Sequence, residues 1–106
     1  MSFRDAQQIV DRWVSQFEEG YFPPLANVAR LAEEVGELAR EVNHRFGPKQ
    51  RKADEPEGSI AMELADILFV IMCLANSQQI DLDDAFAQMM AKVTSRDAGR
   101  WTRKAR

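Results

Sequence analysis

Residues 59–76 read SIAMELADILFVIMCLAN. Between Ser59 and Asn76 the only charged residues are Glu63 and Asp66, and the nine residues from Ile67 to Ala75 are all apolar. Nine is well short of the roughly 20 that a membrane span needs. A helix that is apolar nearly all round is a central, buried helix. Ser59 marks its start and Asn76-Ser77 its end, so this segment predicts the helix around which the rest of the chain packs.

Working outward, the flanking segments carry helical periodicity and almost no period-two alternation. Before the central helix, a long helix is predicted from about Leu25 to Arg45. Pro24 stands in its first turn, where no N–H donor is needed, and Gly47-Pro48 stops it. Leu25, Val28, Ala29, Leu31, Ala32, Val35, Leu38, Ala39 and Val42 make its predicted core stripe. A first helix is predicted over Phe3 to Glu18, capped by Ser2, with Asp5 in the first turn where the helix dipole favours an acid. Its stripe is Phe3, Ala6, Ile9, Val10, Trp13, Val14 and Phe17, and Gly20 and Pro23-Pro24 end it. After the central helix a fourth is predicted to begin after Asp81 and run to about Thr94, with Leu82, Ala85, Phe86, Met89, Met90 and Val93 inward. Residues 47–58 are polar, with two Pro and two Gly, and read as an exposed loop. The tail over about 97–106 is basic. The expected architecture is all-α, a four-helix bundle in one domain over residues 1–106.

Composition bounds the function. The chain has 106 residues, 45% hydrophobic and 29% charged, the balance of a soluble globular domain and not of a disordered tail. One Cys excludes a disulfide framework and a multi-cysteine zinc site and makes a reducing cytoplasm the expected compartment. One His removes most histidine-based metal sites. A net charge of −3 makes the chain a poor general binder of nucleic acid polymers, and no segment reads as a signal peptide or membrane anchor.

The acids carry the chemistry. Glu34 and Glu37 on the long helix, and Glu63 and Asp66 on the central one, each stand at i, i+3, which puts each pair on one helix face. Alone, Glu33-Glu34 would be an ordinary solvated surface. The pair on the apolar helix is different. An unpartnered carboxylate in a water-excluded place costs several kcal/mol, and the helix has no Lys or Arg to compensate. Arg40 or Arg45 of the preceding helix can pair with one acid but not with four. A divalent cation compensates better, and Mg²⁺ or Mn²⁺ suits carboxylate and water ligands. A rival metal reading exists. Glu41-x-x-His44 is the ligand pair of di-iron bundles, and Glu34, Glu37, Glu41 and His44 share one stripe. A di-iron site needs two such motifs, which only a homodimer could supply here.

Glu33-Glu34-x-x-Glu37, then 25 residues, then Glu63-x-x-Asp66 resembles the EExxE…ExxD signature of the MazG-type all-α nucleoside triphosphate pyrophosphohydrolases. The flanking Leu31-Ala32 and Val35-Gly36, the run Ile67-Leu68-Phe69, and Lys92-x-x-x-Arg96 extend the likeness over roughly Trp13 to Trp101. The resemblance implies a Mg²⁺-dependent enzyme that cleaves a nucleoside triphosphate, ribo or deoxy, to monophosphate and pyrophosphate, with a house-cleaning role against non-standard nucleotides. It implies metal ligands at Glu34, Glu37, Glu63 and Asp66. Glu33 becomes a water-orienting candidate, and Lys92 and Arg96 match the basic pair that contacts the phosphates. It also implies a homodimer or homotetramer, in line with a central helix that one small bundle can hardly cover. The segment Gly20 to Asn27 departs from the family's base-recognition patterns, although Trp13, Phe17, Tyr21 and Phe22 are able to stack on a base. Two other function classes stay open: a non-catalytic helical module that binds nucleotide or metal, and the di-iron protein.

Overall fold

A computed structural model describes residues 1–48, 52–53 and 58–105. Its four helices are α1 (Phe3–Val14), α2 (Pro24–Phe46), α3 (Ile60–Ser77) and α4 (Leu82–Asp97), and no strand occurs among the described residues. Of the loop expected over 47–58, residues 49–51 and 54–57 lie outside those described, as does Arg106 of the tail.

The helix ends follow from local chemistry. Ser2 and Asp5 form a reciprocal capping box: Ser2 Oγ accepts from the Asp5 N–H and Asp5 Oδ2 from the Ser2 N–H, each at 3.0 Å. α1 ends at Val14, four residues short of the expected Glu18. Beyond it the chain winds in i→i+3 turns, with Phe17 N–H on the Val14 carbonyl at 3.1 Å and Gly20 N–H on the Phe17 carbonyl at 3.2 Å. Gly20, at φ +62°, then turns the chain toward Pro23-Pro24 and α2. α3 ends in a Schellman arrangement in which the Ile80 N–H reaches back to the Ala75 carbonyl at 2.8 Å. The left-handed residue it requires is Gln79, at φ 57°. Asp81 Oδ1 caps α4 by accepting from the Asp83 and Asp84 N–H groups.

α3 is the middle of the molecule, with α2 packed antiparallel along one side and α1 on another, while α4 touches α1. In length and hydropathy α3 would suit a membrane span, although its unbroken apolar run is short. Val10, Met72 and Cys73 are the centre of the core, with Phe3, Val14, Tyr21, Phe69 and Leu82 against them. A polar weld joins α1, α3 and the turn before α4. The buried Gln7 donates from Nε2 to Asn76 Oδ1 and the Ile80 carbonyl, and its Oε1 accepts from the Leu82 N–H. Asp83 accepts from the Phe3 and Arg4 N–H groups at the start of α1, an acid where the dipole favours one, and Arg4 grips Asp81 at 2.7 Å.

Three expected stripes are placed differently. Of the first stripe, Ile9, Trp13 and Phe17 are exposed. On α2 the half-buried face toward α3 is Asn27, Leu31, Glu34, Leu38, Glu41 and His44, while Leu25, Val28, Val35 and Val42 are exposed. On α4 the residues Phe86, Met89 and Met90 are exposed, and no α4 residue is buried. The physical reason is the same in each case: the helices of this chain cover those faces only in part, Phe86 meeting Phe3 of α1 edge-on at 5.4 Å and still remaining exposed. The accessible surface is 8583 Å², against about 6,000 Å² for a folded monomer of this size. The radius of gyration is 17.7 Å, against about 13 Å for a closed domain of this length.

Candidate active site

Because α2 and α3 run antiparallel, the middle of α2 meets the start of α3. Glu34, Glu63 and Asp66 each bring a carboxylate oxygen within 4.8 Å of the others; Glu34 and Glu63 are half-buried and Asp66 is exposed. Three hard oxygen donors at this spacing suit Mg²⁺ or Mn²⁺, whose ligand oxygens stand about 3–4 Å apart around an octahedral ion. The arrangement is electrostatically unfavourable without a cation. Desolvation raises the Glu63 pKa above its ordinary value, and the charges of Asp66, Glu37, Glu34 and Glu41 push it in the same direction. A bound divalent ion inverts that field.

The other candidate residues are arranged less compactly. Glu37 is one turn beyond Glu34 on the same face, near enough for its charge to act on Glu63, but its carboxylate is turned to Arg40 at 3.6 Å. Glu33 is exposed and about 100° round α2 from Glu34, outside the carboxylate group. Glu41 faces α3 and His44 is half-buried one turn further on, but neither belongs to the group of three. Lys92 and Arg96 stand on the far half of α4, which does not pack on α2, and Arg96 is held by Asp97 at 3.1 Å. The single chain therefore does not bring the basic pair to the acids.

Next to the acids, toward the start of α2, is a cavity of about 260 Å³. Its walls include Trp13 from the end of α1, Phe17, Tyr21 and Phe22 from the connection, and Phe69 and Cys73 from α3. Asn27 and Arg30 of α2 complete the lining. Asn27 is 2% exposed; its Nδ2 donates weakly to the Phe22 carbonyl at 3.4 Å, and among the described residues Oδ1 accepts no hydrogen bond. Burial raises the pKa of the Cys73 thiol, and the nearby Arg30 charge opposes that shift. The sequence singles out Trp13, Phe17, Tyr21 and Phe22 as residues able to stack on a base, whereas Phe69, Asn27 and Arg30 are not among its site candidates. The available signal was register, since Arg30 is four residues before Glu34 and three after Asn27.

Comparison with known proteins agrees with this geometry. Residues 22–101 match the MazG nucleotide pyrophosphohydrolase domain. The Bacillus subtilis protein YpjD is 55% identical over 103 residues, spanning 97% of this chain and 93% of its own length. YvdC of the same organism is 29% identical over 96 residues, 81% of this chain and 91% of its own. The crystal structure of YpjD superposes with a TM-score of 0.78 at 54% identity, covering 87% of this chain and 94% of that one. A Bacillus-conserved MazG protein, described as a nucleotide pyrophosphohydrolase, superposes with a TM-score of 0.75 at 50% identity, covering 87% and 88%. The domain match takes in both acid helices, the cavity residues of α2 and α3, and the basic residues of α4, and on that ground the chain belongs to the MazG nucleotide pyrophosphohydrolases, an all-α family of hydrolases.

Proposed function

We propose that this protein cleaves a nucleoside triphosphate between its α and β phosphates, giving the monophosphate and pyrophosphate, with Mg²⁺ as the natural ion and Mn²⁺ as a substitute. The observation that carries the reading is the convergence of Glu34, Glu63 and Asp66 beside an aromatic cavity, in a chain of this family.

In this reading Glu34, Glu63 and Asp66 hold the ion, and Glu37 joins them by releasing Arg40. When bound, the ion polarises the α-phosphoryl group and neutralises the charge that develops on the leaving pyrophosphate. Glu33, beside the ligands, orients the attacking water. The aromatic walls hold the nucleobase away from water and fix the α-phosphorus over the carboxylates. Lys92 and Arg96 meet the phosphates. Since the chain alone holds α4 away from α2, they do so in a homodimer or homotetramer, whose formation covers the exposed faces of α2 and α4. The protein works in the cytoplasm on free nucleotides, not on nucleic acid polymers or membranes, and a house-cleaning role against non-standard nucleotides fits a cavity of this character.

The test is pyrophosphate release from a panel of canonical and modified triphosphates with Mg²⁺ and with Mn²⁺. Turnover abolished in Asp66→Ala and Glu37→Ala proteins that keep their helical content supports the reading. No release from any triphosphate with either ion overturns it and favours a binding module on the same scaffold.

A further inference from the structure

We infer that Asn27 selects the base of the bound nucleotide: its side-chain carbonyl accepts a hydrogen bond from an exocyclic amine, so the cavity takes an amino-bearing base in preference to its deaminated counterpart. The inference rests on the nucleotide reading above and narrows its substrate class.

Asn27 stands where the pattern of α2 calls for an apolar residue. The face of α2 toward α3 continues through Leu31 and Leu38, yet the one buried residue of the helix is this amide, 2% exposed. The fold makes little use of it. The Asn27 backbone N–H donates to the Pro23 carbonyl at 3.1 Å, as any residue there would. Its Nδ2 reaches only the Phe22 carbonyl, at 3.4 Å, which is long for a hydrogen bond. Oδ1 accepts nothing among the described residues, and the Tyr21 phenol of the same wall gives its proton to Asp11. A buried amide acceptor without a partner is unfavourable, and a leucine would be free of that cost. The partner that justifies the amide is one that enters the cavity it lines.

The Phe22 contact also decides which end of the amide faces that partner. Turned over, the side chain would set Oδ1 against the Phe22 carbonyl oxygen, so Nδ2 stays there and Oδ1 is left to the cavity as an acceptor. The aromatic walls cannot tell bases apart, because every base has a π-face to stack. A fixed acceptor can, because it reads the base edge. The amine of cytosine or adenine offers it an N–H. In uracil or hypoxanthine a carbonyl oxygen replaces that amine, and two acceptors oppose each other. The ring N–H beside that carbonyl is a poorer substitute, since it brings the carbonyl toward Oδ1 as well.

The experiment measures kcat/KM for pyrophosphate release, with Mg²⁺, on two pairs of nearly equal size, dCTP against dUTP and dATP against dITP. In the pair that is turned over faster, the wild type is expected to prefer the amino member by about tenfold or more, the scale on which a site built to hydrogen-bond rejects a substrate without the donor. Asn27→Leu fills the same place without an acceptor and is expected to reduce the preference to about threefold or less, by losing rate on the amino member. Asn27→Asp keeps an acceptor and is expected to keep the preference. Equal rates on both members in the wild type overturn the inference, as does a preference that survives Asn27→Leu or disappears in Asn27→Asp, and each of these results leaves the nucleotide reading in place. No release from any of the four also overturns the inference, and the nucleotide reading falls with it only when the wider panel of triphosphates is silent too.

Discussion

The phenol of Tyr21 donates its proton to Asp11 Oδ1 at 2.6 Å and accepts from Asn76 Nδ2 at 2.9 Å. Asn76 Nδ2 also donates to the Gln7 carbonyl, so the connection that forms the cavity wall is tied to α1 and α3 through one amide. The phenol is desolvated and its proton is held by Asp11, which raises its pKa to about 12. The folded-state value is above the unfolded one, so this group's stabilisation is complete below about pH 10, the ordinary value for tyrosine. It is lost as pH rises toward 12. Tyr21 is the single tyrosine of the chain, so its phenolate absorbance reports this site alone. The expected titration midpoint is near 12 in the native protein and near 10 in denaturant, and Asp11→Asn should lower the native value. A native midpoint near 10 would mean that the hydrogen bond to Asp11 is not formed.

Gln79 occupies a left-handed conformation at φ 57° to close the end of α3. A residue with a Cβ costs about 1 kcal/mol or more there, whereas glycine adopts it without penalty. The Gln79 side chain is exposed, so its removal disturbs no core packing. Gln79→Gly is expected to stabilise the protein by about 1 kcal/mol, seen as a Tm higher by several degrees. Gly20→Ala, at φ +62° with open space around the Cβ position, should destabilise by a similar amount. If both substitutions moved Tm in the same direction, backbone strain would not be the controlling term.

The helices were legible because their signals are local. Ser2 with Asp5, Gly47, Ser59 and Asp81 mark starts and stops that hydrogen-bond geometry bears out, and Pro24 stands at the first position of α2. The match of α2 to α3 was legible too, because the two acid pairs must share an environment. What the sequence could not convey is which apolar residues are covered by this chain. Val28, Val35, Met89 and Met90 have the spacing of core residues, and periodicity carries no record of whether the opposing helix belongs to the same molecule. Arg30 was missed for a different reason. An isolated arginine on an acidic helix face reads as an ion-pair partner, and only the position of Glu34 against α3 shows that the pair is not made.

Metal binding should appear in stability as well as in turnover. Without a cation, Glu63 is surrounded by negative charge and its pKa is raised. Its folded value is above its unfolded value, so in the metal-free protein the ionised form weighs against folding. Stability is therefore expected to fall as pH rises from the ordinary carboxylate range through the raised value. Glu63→Gln should remove that dependence and make the metal-free protein more heat-resistant. In the wild type, Mg²⁺ or Mn²⁺ at a hundred times its dissociation constant should add about 2.7 kcal/mol. Both Glu63→Gln and Asp66→Asn should lose most of this gain. Melting curves with chelator and with added ion check all three statements. An equal metal-induced rise in wild type and both variants would place the ion elsewhere.

Whether α4 completes the site of a second copy can be decided by mixing defective chains. One variant, Asp66→Ala, lacks an acid but keeps Lys92 and Arg96. The other, Lys92→Ala with Arg96→Ala, keeps every acid. Each alone should be inactive or nearly so. If the basic pair acts across the assembly, a mixed dimer carries one site with both defects and one with none. Random pairing makes half of all dimers mixed, so an equal mixture refolded together should recover about a quarter of wild-type turnover. Two features of the single chain point this way: its surface is well above that of a closed domain, and α4 does not pack on the acid helix. The shortfall in burial, about 2,500 Å² for each chain, is the scale of an obligate homodimer interface. Native mass spectrometry on the same samples, with one variant isotopically labelled, counts the mixed assemblies. Mixed assemblies without recovered turnover would mean that each chain supplies Lys92 and Arg96 to its own carboxylates, which requires α4 to swing across α3 from the position it holds here.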